Sequence, residues 1–354
     1  MTKFYNYEDP ELFEDFAAEF DPMNTDRQTR RKRKTKARHE PKKSHQKIIA
    51  ELADDTGIAG GFQITYNAGA DDHHEMMWIQ DSMSGFFYQD LIVDVMAMVK
   101  GGKEASVYRC QAHDSTDYTW LAAKVYRPRM FRNLRNDKMY RQGRQALGAD
   151  GKAINAKDWR ALKAMNKGTG YGQAQSHTSW LMYEFMTLKK LYEVGASVPK
   201  PIETTSNAIL MEYIGDVNLA APTLSQVKLH ESEVGYLFKE VMRNIHLMLQ
   251  QGIVHGDLSA YNILYWEGEI VLIDFPQIVE IENNPNARKI LERDIQRVCE
   301  YFEGCGMTID HRRITRNLWK SYGVEDADPA VILFNILEAV SFDDYELPEE
   351  DDDF

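Results

Sequence analysis

Apolar positions along this chain change period, and the changes mark its elements. The run LIVDVMAMVK, residues 91–100, predicts a strand, GGKE a turn, and ASVYRC a returning strand, so the stretch reads as a glycine-bearing hairpin. YTWLAAKVY, residues 118–126, predicts a third strand. In SWLMYEFMTLKKLYEVG the period lengthens. Leu181, Phe185, Leu188 and Leu191 or Tyr192 share one helical face, and the pattern stops at Gly195. NAILMEYIG predicts a short buried strand ending at Gly215. A second helix is predicted from about Ser232 to Gln251, where Leu237, Phe238, Val241, Ile245 and Leu249 recur at helical spacing before Gly252. ILYW and EIVLID, joined through Glu267 and Gly268, predict a second hairpin, and residues 286–340 alternate helical patterns with short loops.

Two stretches show no clear period. Between Glu51 and Asp90 the glycines Gly57, Gly60, Gly61 and Gly69 predict a loose lead-in. From Arg127 to His177 the chain is polar and rich in Arg, Lys and Gly, which predicts a long functional or disordered loop. No internal repeat is evident. The expected organisation is a tail over 1–50, a lead-in over 51–90, one catalytic unit over 91–340 and a second tail over 341–354. Strands, helix, strand and then mostly helices suggest an α+β fold, with a small β-rich lobe over about 91–214 and an α-rich lobe over about 215–340.

Composition supports one large unit, since 354 residues at 43% hydrophobic content bury one core or one two-lobed domain. No stretch approaches the roughly 18 uninterrupted apolar residues of a membrane helix, and the acidic start MTKFYNYEDPELFEDF is unlike a signal peptide, so no membrane and a cytoplasmic location are expected. Cys110, Cys299 and Cys305 form no CxxC pair or zinc spacing and read as buried thiols. Charge is placed in blocks within a net −13: residues 1–26 hold eight acids against Lys3, residues 27–47 hold eleven Lys and Arg against Glu40, and the stretch from Asp343 to Asp353 is acidic again. Such blocks usually remain solvated tails, although clustered cations also suit a phosphate backbone. No aromatic residue interleaves the basic run, so base stacking is not indicated.

The chemistry concentrates in IVHGDLSAYNILYWEGEIVLIDF, which combines DxxxxN on a loop with a second Asp after a short hairpin. Phosphoryl transfer needs a held hydroxyl, clamped metal ions and neutralised charge. Asp257 suits the carboxylate that orients the hydroxyl and accepts its proton, while Asn262 and Asp274 offer the few oxygen ligands that magnesium prefers. Alone, each residue is more simply a loop cap, a turn former or a strand end. Their joint spacing favours the chemical reading. Upstream, Gly102 lets backbone amides approach phosphates, and Lys124, in an apolar strand, is placed to reach them. GKE is not a Walker motif, because Glu104 stands where Ser or Thr is needed. A lysine in an apolar strand needs a carboxylate, and Glu184 on the first helix is the candidate, against the plainer reading of a solvent-facing acid.

Taken together, VKGGKEASVYRC, LAAKVYRP, SWLMYEFMTLKKL leading into VPKPI, LMEYIG, HGDLSAYNIL, and IDFPQ followed by ERDIQRVCEYF resemble the RIO family of atypical serine/threonine protein kinases over roughly residues 78–305. The resemblance implies a two-lobed protein-kinase-like fold with a reduced C-lobe, and ATP with Mg2+ as cofactors. It places ATP under Gly102, Lys103, Glu104, Ala105 and Ser106, with Val107 following, and puts Lys124, paired with Glu184, on the phosphates. Met211, Glu212, Tyr213 and Ile214 would line the adenine as the interlobe hinge, and Asp257, Asn262 and Asp274 would form the catalytic and metal set. FRNLRNDKMYRQGR resembles the subgroup without an N-terminal winged helix, whereas IDFPQ is closer to the other. Ordinary protein kinases differ: HGD replaces HRD, Pro276 stands where they keep glycine, and no APE-like segment precedes Arg293 and Asp294. A peptide-docking platform is therefore not expected, and the substrate would be a protein partner or the chain itself.

Two other readings compete. A small-molecule kinase of the aminoglycoside or choline type shares HGDxxxxN but fits IDFPQ and the 127–177 insertion poorly. An ATP-gated binding factor in ribosome assembly would use the basic run 27–47 on ribosomal RNA or a ribosomal particle.

Overall fold

The sheet-forming half comes first. In the computed structural model, which describes residues 62–66, 73–102, 104–126, 146–155, 158–167, 169–322 and 340–342, strand β1 (Gln63–Ile64) is followed by helix α1 (His73–Tyr88) and by β2 (Ile92–Gly101), parallel to β1. β3 (Ala105–Ala112) and β4 (Trp120–Tyr126) continue antiparallel. Helices α2 (Trp159–Lys167) and α3 (Gly170–Glu193) lead to β5 (Pro201–Thr204) and β6 (Ala208–Glu212). One six-stranded sheet results, in the order β1-β2-β3-β4-β6-β5.

Two parts of this lobe correct the sequence reading. The stretch read as a loose lead-in contains α1, whose Ile79, Met83 and Phe86 are fully buried against Ile92, Val95, Leu121 and Leu210. Each such side chain removed from water contributes about 1.5–3 kcal/mol, enough to hold a helix that its polar opening residues conceal. The stretch read as a long loop over 127–177 contains α2 and the start of α3, which begins at Gly170 rather than near Ser179. Thr169 caps α3, its Oγ1 accepting from the Gly172 amide at 3.2 Å. Gly172 is a contact point: a Cβ there would stand 1.9 Å from the Ala164 carbonyl, so the two helices approach only because none is present.

Past Tyr213–Gly215 the chain becomes mostly helical. Helix α4 (Glu231–Gln250) starts in a capping box between His230 and Glu233 and ends before Gly252, whose φ is 73°. Strand β7 (Ile253–Val254) is followed by β8 (Ile263–Trp266) and β9 (Glu269–Leu272), a hairpin turning on Glu267 and Gly268 with φ of 49° and 84°. Both left-handed residues match the twist of a two-residue hairpin loop. Strand β10 (Val279–Glu280) returns to pair with β7, and helix α5 (Ala287–Glu303), β11 (Met307–Ile309), helix α6 (His311–Ser321) and β12 (Val340–Phe342) complete the lobe. Leu237, Phe238, Val241 and Ile245 of α4 pack on Ile295, Val298 and Phe302 of α5 and on Ile314 and Leu318 of α6.

The fold is α+β with two lobes of unequal composition, as the order of elements predicts. Between Phe275 and Asn286 lie only β10 and turns, so this stretch holds no helical or extended platform. Cys110 and Cys299 are buried free thiols, and Cys305, expected to be buried, is half-buried. No helix among the described residues is long and apolar enough to cross a membrane. The tails over 1–50 and 343–354, residues 127–145 and Lys103 lie outside the described residues.

Candidate active site

Strand β4 carries Lys124 in register between Val107 of β3 and Ile209 of β6. Its ammonium is 2.6 Å from Glu184 Oε1 and 2.7 Å from Asp274 Oδ1, so one cation joins the sheet, helix α3 and the loop after β9. Glu184 is 1% exposed and faces inward; its Oε2 accepts from the Tyr126 hydroxyl at 2.6 Å. Both carboxylate oxygens are thus satisfied, as a buried charge requires. Burial works against the Lys124 ammonium, but Asp274 and Glu184 outweigh it and hold its pKa well above the ordinary lysine value. Tyr126 is also held well above its usual range, by burial and then by the Glu184 charge.

Asp274 has a left-handed backbone, φ 71°, unusual for a residue with a side chain and worth on the order of 1 kcal/mol of strain. Enclosure raises its pKa, yet the Lys124 charge and hydrogen bond prevail, with smaller help from His255 and Lys100, and the carboxyl lies below its usual range. Asp274 therefore stays ionised with 44% of its side chain exposed.

The catalytic-loop candidate follows β7. His255, buried, accepts the Asp257 amide at Nδ1, 3.3 Å, and donates Nε2–H to the Ile273 carbonyl, 3.1 Å, linking this loop to the one that bears Asp274. Gly256 has φ 87°, and a Cβ on it would meet the Gln277 carbonyl at 2.1 Å. The HGD spelling is thus steric: the position has no room for an arginine. Asp294 of α5 accepts the Gly256 amide at 2.8 Å, while Arg293 donates to the Gly256 carbonyl. Asn262 is buried, and its Nδ2 donates to the Asp257 carbonyl at 2.9 Å, which turns the amide oxygen away from that carbonyl and leaves it as the metal-competent atom. The Asp257 carboxylate meets Arg297 Nη1 at 2.8 Å.

On the sheet side, Gly102 closes the β2–β3 turn where a Cβ would lie 2.8 Å from the Ala105 carbonyl, so this turn also needs glycine. Ser106 is buried, and Glu104, Ala105 and Val107 are half-buried. Ala105, Val107, Ala122, Met211 and Tyr213 belong to one apolar cluster, a surface of the kind that a planar base would cover. Glu212 bonds back to Lys200 through its amide, 2.9 Å, and its carboxylate, 3.2 Å, while the Ile214 carbonyl accepts from Ala221 at 3.0 Å.

The structure thus brings Lys124, Glu184 and Asp274 into direct contact and sets Asn262 against Asp257. Sequence reasoning missed Tyr126, His255, Arg293, Asp294 and Arg297. Tyr126 was within reach of it, two positions from Lys124 on the same strand face. The α5 residues were not, since nothing in the sequence spacing sets that helix under the loop.

The donor set suits magnesium. No group of three or more His, Cys, Asp or Glu forms a metal cage among the described residues, and two protein oxygens, Asn262 Oδ1 and an Asp274 carboxylate, match an ion that keeps waters and takes phosphate oxygens.

Comparison with known proteins bears on this arrangement. Residues 106–314 match the family model of the RIO domain. The RIO-type serine/threonine-protein kinase Rio1 of Haloferax volcanii is 32% identical over 219 residues, 60% of this chain and 64% of that protein. Serine/threonine-protein kinase RIO1 of Chaetomium thermophilum is 31% identical over 277 residues, 74% of this chain and 49% of that protein. The chain thus spans between about half and two thirds of these curated relatives. A crystal structure of the Rio2 kinase–ADP/Mg2+–phosphoaspartate complex from Chaetomium thermophilum aligns with TM-score 0.47 and 20% identity, over 83% of this chain and 79% of that one.

Proposed function

The chain belongs to the RIO family, and from that premise we propose that it is an ATP- and magnesium-dependent phosphotransferase acting on Ser or Thr of itself or of a protein partner. The observation that carries the reading is the meeting of Lys124 with both Glu184 and Asp274. A buried lysine with two carboxylates is costly as mere structure. It is well suited to receive phosphates.

In this reading Asn262 and Asp274 hold magnesium, Lys124 faces the phosphates, and Gly102, Lys103, Glu104, Ala105, Ser106 and Val107 cover them. Met211, Glu212, Tyr213 and Ile214 border the base. Bound magnesium·ATP supplies the phosphoryl group and neutralises its charge. Asp257 orients an acceptor hydroxyl and takes its proton. Glu184 keeps Lys124 aimed, and His255 keeps the Asp257 loop in register with Asp274.

The short stretch from Phe275 to Asn286 supports an acceptor brought by the chain itself or by a large bound partner, because positioning supplies much of the acceleration in such transfers. Free peptides are then poor substrates, and slow self-phosphorylation or ATP hydrolysis dominates. Incubation with labelled ATP, magnesium and a diverse peptide library tests this; rapid multiple turnover of short peptides, far above self-labelling, would refute it.

The run over 27–47 supports a second, ATP-gated binding role on ribosomal RNA or a ribosomal particle. Co-sedimentation with and without that run separates it from phosphotransfer alone. We assign the protein to the cytoplasm, where magnesium·ATP is supplied.

A further inference from the structure

We infer that Arg297 is a positioning residue for the Asp257 carboxylate, an assignment that rests on the proposed role of Asp257. Three observations converge. First, the backbone of Asp257 is held at both ends, its amide on His255 Nδ1 at 3.3 Å and its carbonyl on Asn262 Nδ2 at 2.9 Å. Only the side-chain torsions then remain free to misplace the carboxylate.

Second, those torsions are restrained by one group. Arg297 Nη1 donates to Oδ1 at 2.8 Å, which leaves Oδ2 as the oxygen available to an acceptor hydroxyl. A guanidinium suits this task, because its planar fork fixes direction as well as charge.

Third, the ion pair is not explained by stability. Both side chains are 41% exposed, and exposed ion pairs add little to folding free energy. Helix α5 already anchors the loop one turn earlier, where the buried Asp294 accepts the Gly256 amide and Arg293 donates to the Gly256 carbonyl. Arg293 and Arg297, four positions apart, share a helical face, so the same helix that fixes the loop backbone also sets the side chain of its carboxylate.

The test uses the full chain and compares wild type, Arg297→Ala, Arg297→Lys, Asp257→Asn and the double variant Arg297→Ala with Asp257→Asn. Magnesium-dependent turnover of labelled ATP gives kcat and KM, and titration calorimetry with a non-hydrolysable ATP analogue and magnesium gives affinity without turnover. Arg297→Ala is expected to lower kcat about ten- to hundredfold, with KM and the calorimetric affinity within about twofold of wild type. Arg297→Lys recovers part of the loss. In the Asp257→Asn background Arg297→Ala has no further effect, because a residue acting through another is non-additive with it. Unchanged kcat in Arg297→Ala, an equal fall in nucleotide affinity, or full additivity in the double variant overturns the assignment. Wild-type turnover in Asp257→Asn instead overturns the proposed function of Asp257 itself, and the two failures are thereby distinguished.

Discussion

Lys124 and Asp274, 150 positions apart in the chain, meet at 2.7 Å and join the sheet to the loop after the β8–β9 hairpin. The carboxylate that Lys124 holds is the one proposed to ligate metal, so this lysine also governs the geometry of the loop that carries it. Glu184 fixes the other side of the ammonium, which makes the three residues one unit.

Removing one member of that unit separates stability from chemistry. Lys124→Met leaves the buried Glu184 carboxylate with the Tyr126 hydroxyl as its one hydrogen-bond donor among the described residues, and is expected to cost about 3 kcal/mol in urea unfolding. Adding Glu184→Gln should recover much of the stability, since an amide carries no buried charge. Phosphoryl transfer stays about a hundredfold or more below wild type in both variants. Restored turnover in the double variant would show that another cation faces the phosphates.

Asp274 and Asp257 are predicted to differ in what they do for binding. Asp274→Ala should weaken magnesium-dependent ATP binding about tenfold or more, because the proposed metal ligand is lost. Asp257→Ala should change it little. Titration calorimetry with ATP and magnesium decides between them, and equal losses in two folded variants would contradict the metal assignment.

A pH dependence of stability is expected from His246. The residue is 2% exposed, its Nε2 has no hydrogen-bond partner among the described residues, and burial lowers its pKa. The unfolded chain therefore binds a proton that the folded His246 refuses. Stability from this residue is full above the ordinary histidine value near 6.5 and falls as pH drops below it. Denaturant midpoints measured from pH 8 to pH 5 should fall less in His246→Gln than in wild type.

Gly172→Ala should loosen the α2–α3 contact, because the new Cβ would collide with the Ala164 carbonyl. Hydrogen exchange is expected to speed up in α2 while α4 and α5 keep their protection. Unchanged protection in α2 would mean that the helices do not rely on this close approach.

These particulars also show what the sequence could reveal. Lys124 in an apolar strand and Glu184 at helical spacing with Leu181 and Leu188 carried enough signal to be paired, because a buried cation demands a carboxylate. The hairpin turning on Glu267 and Gly268 was equally clear from its turn residues. Glycine misled the reading elsewhere: those from Gly57 to Gly69 precede α1 instead of interrupting it. Arg297 was beyond reach. Its meeting with Asp257 depends on how α5 packs under the loop, a tertiary fact with no local periodicity.

Asp257 is proposed as the catalytic carboxylate of a magnesium·ATP-dependent phosphotransferase. Quantitative self-labelling of the purified chain with γ-labelled ATP, with and without magnesium, in wild type and Asp257→Asn, decides whether it is. The expected result is magnesium-dependent label on Ser or Thr in wild type and at least about a hundredfold less in a folded Asp257→Asn variant that still binds ATP. Equal labelling in the two proteins would contradict it.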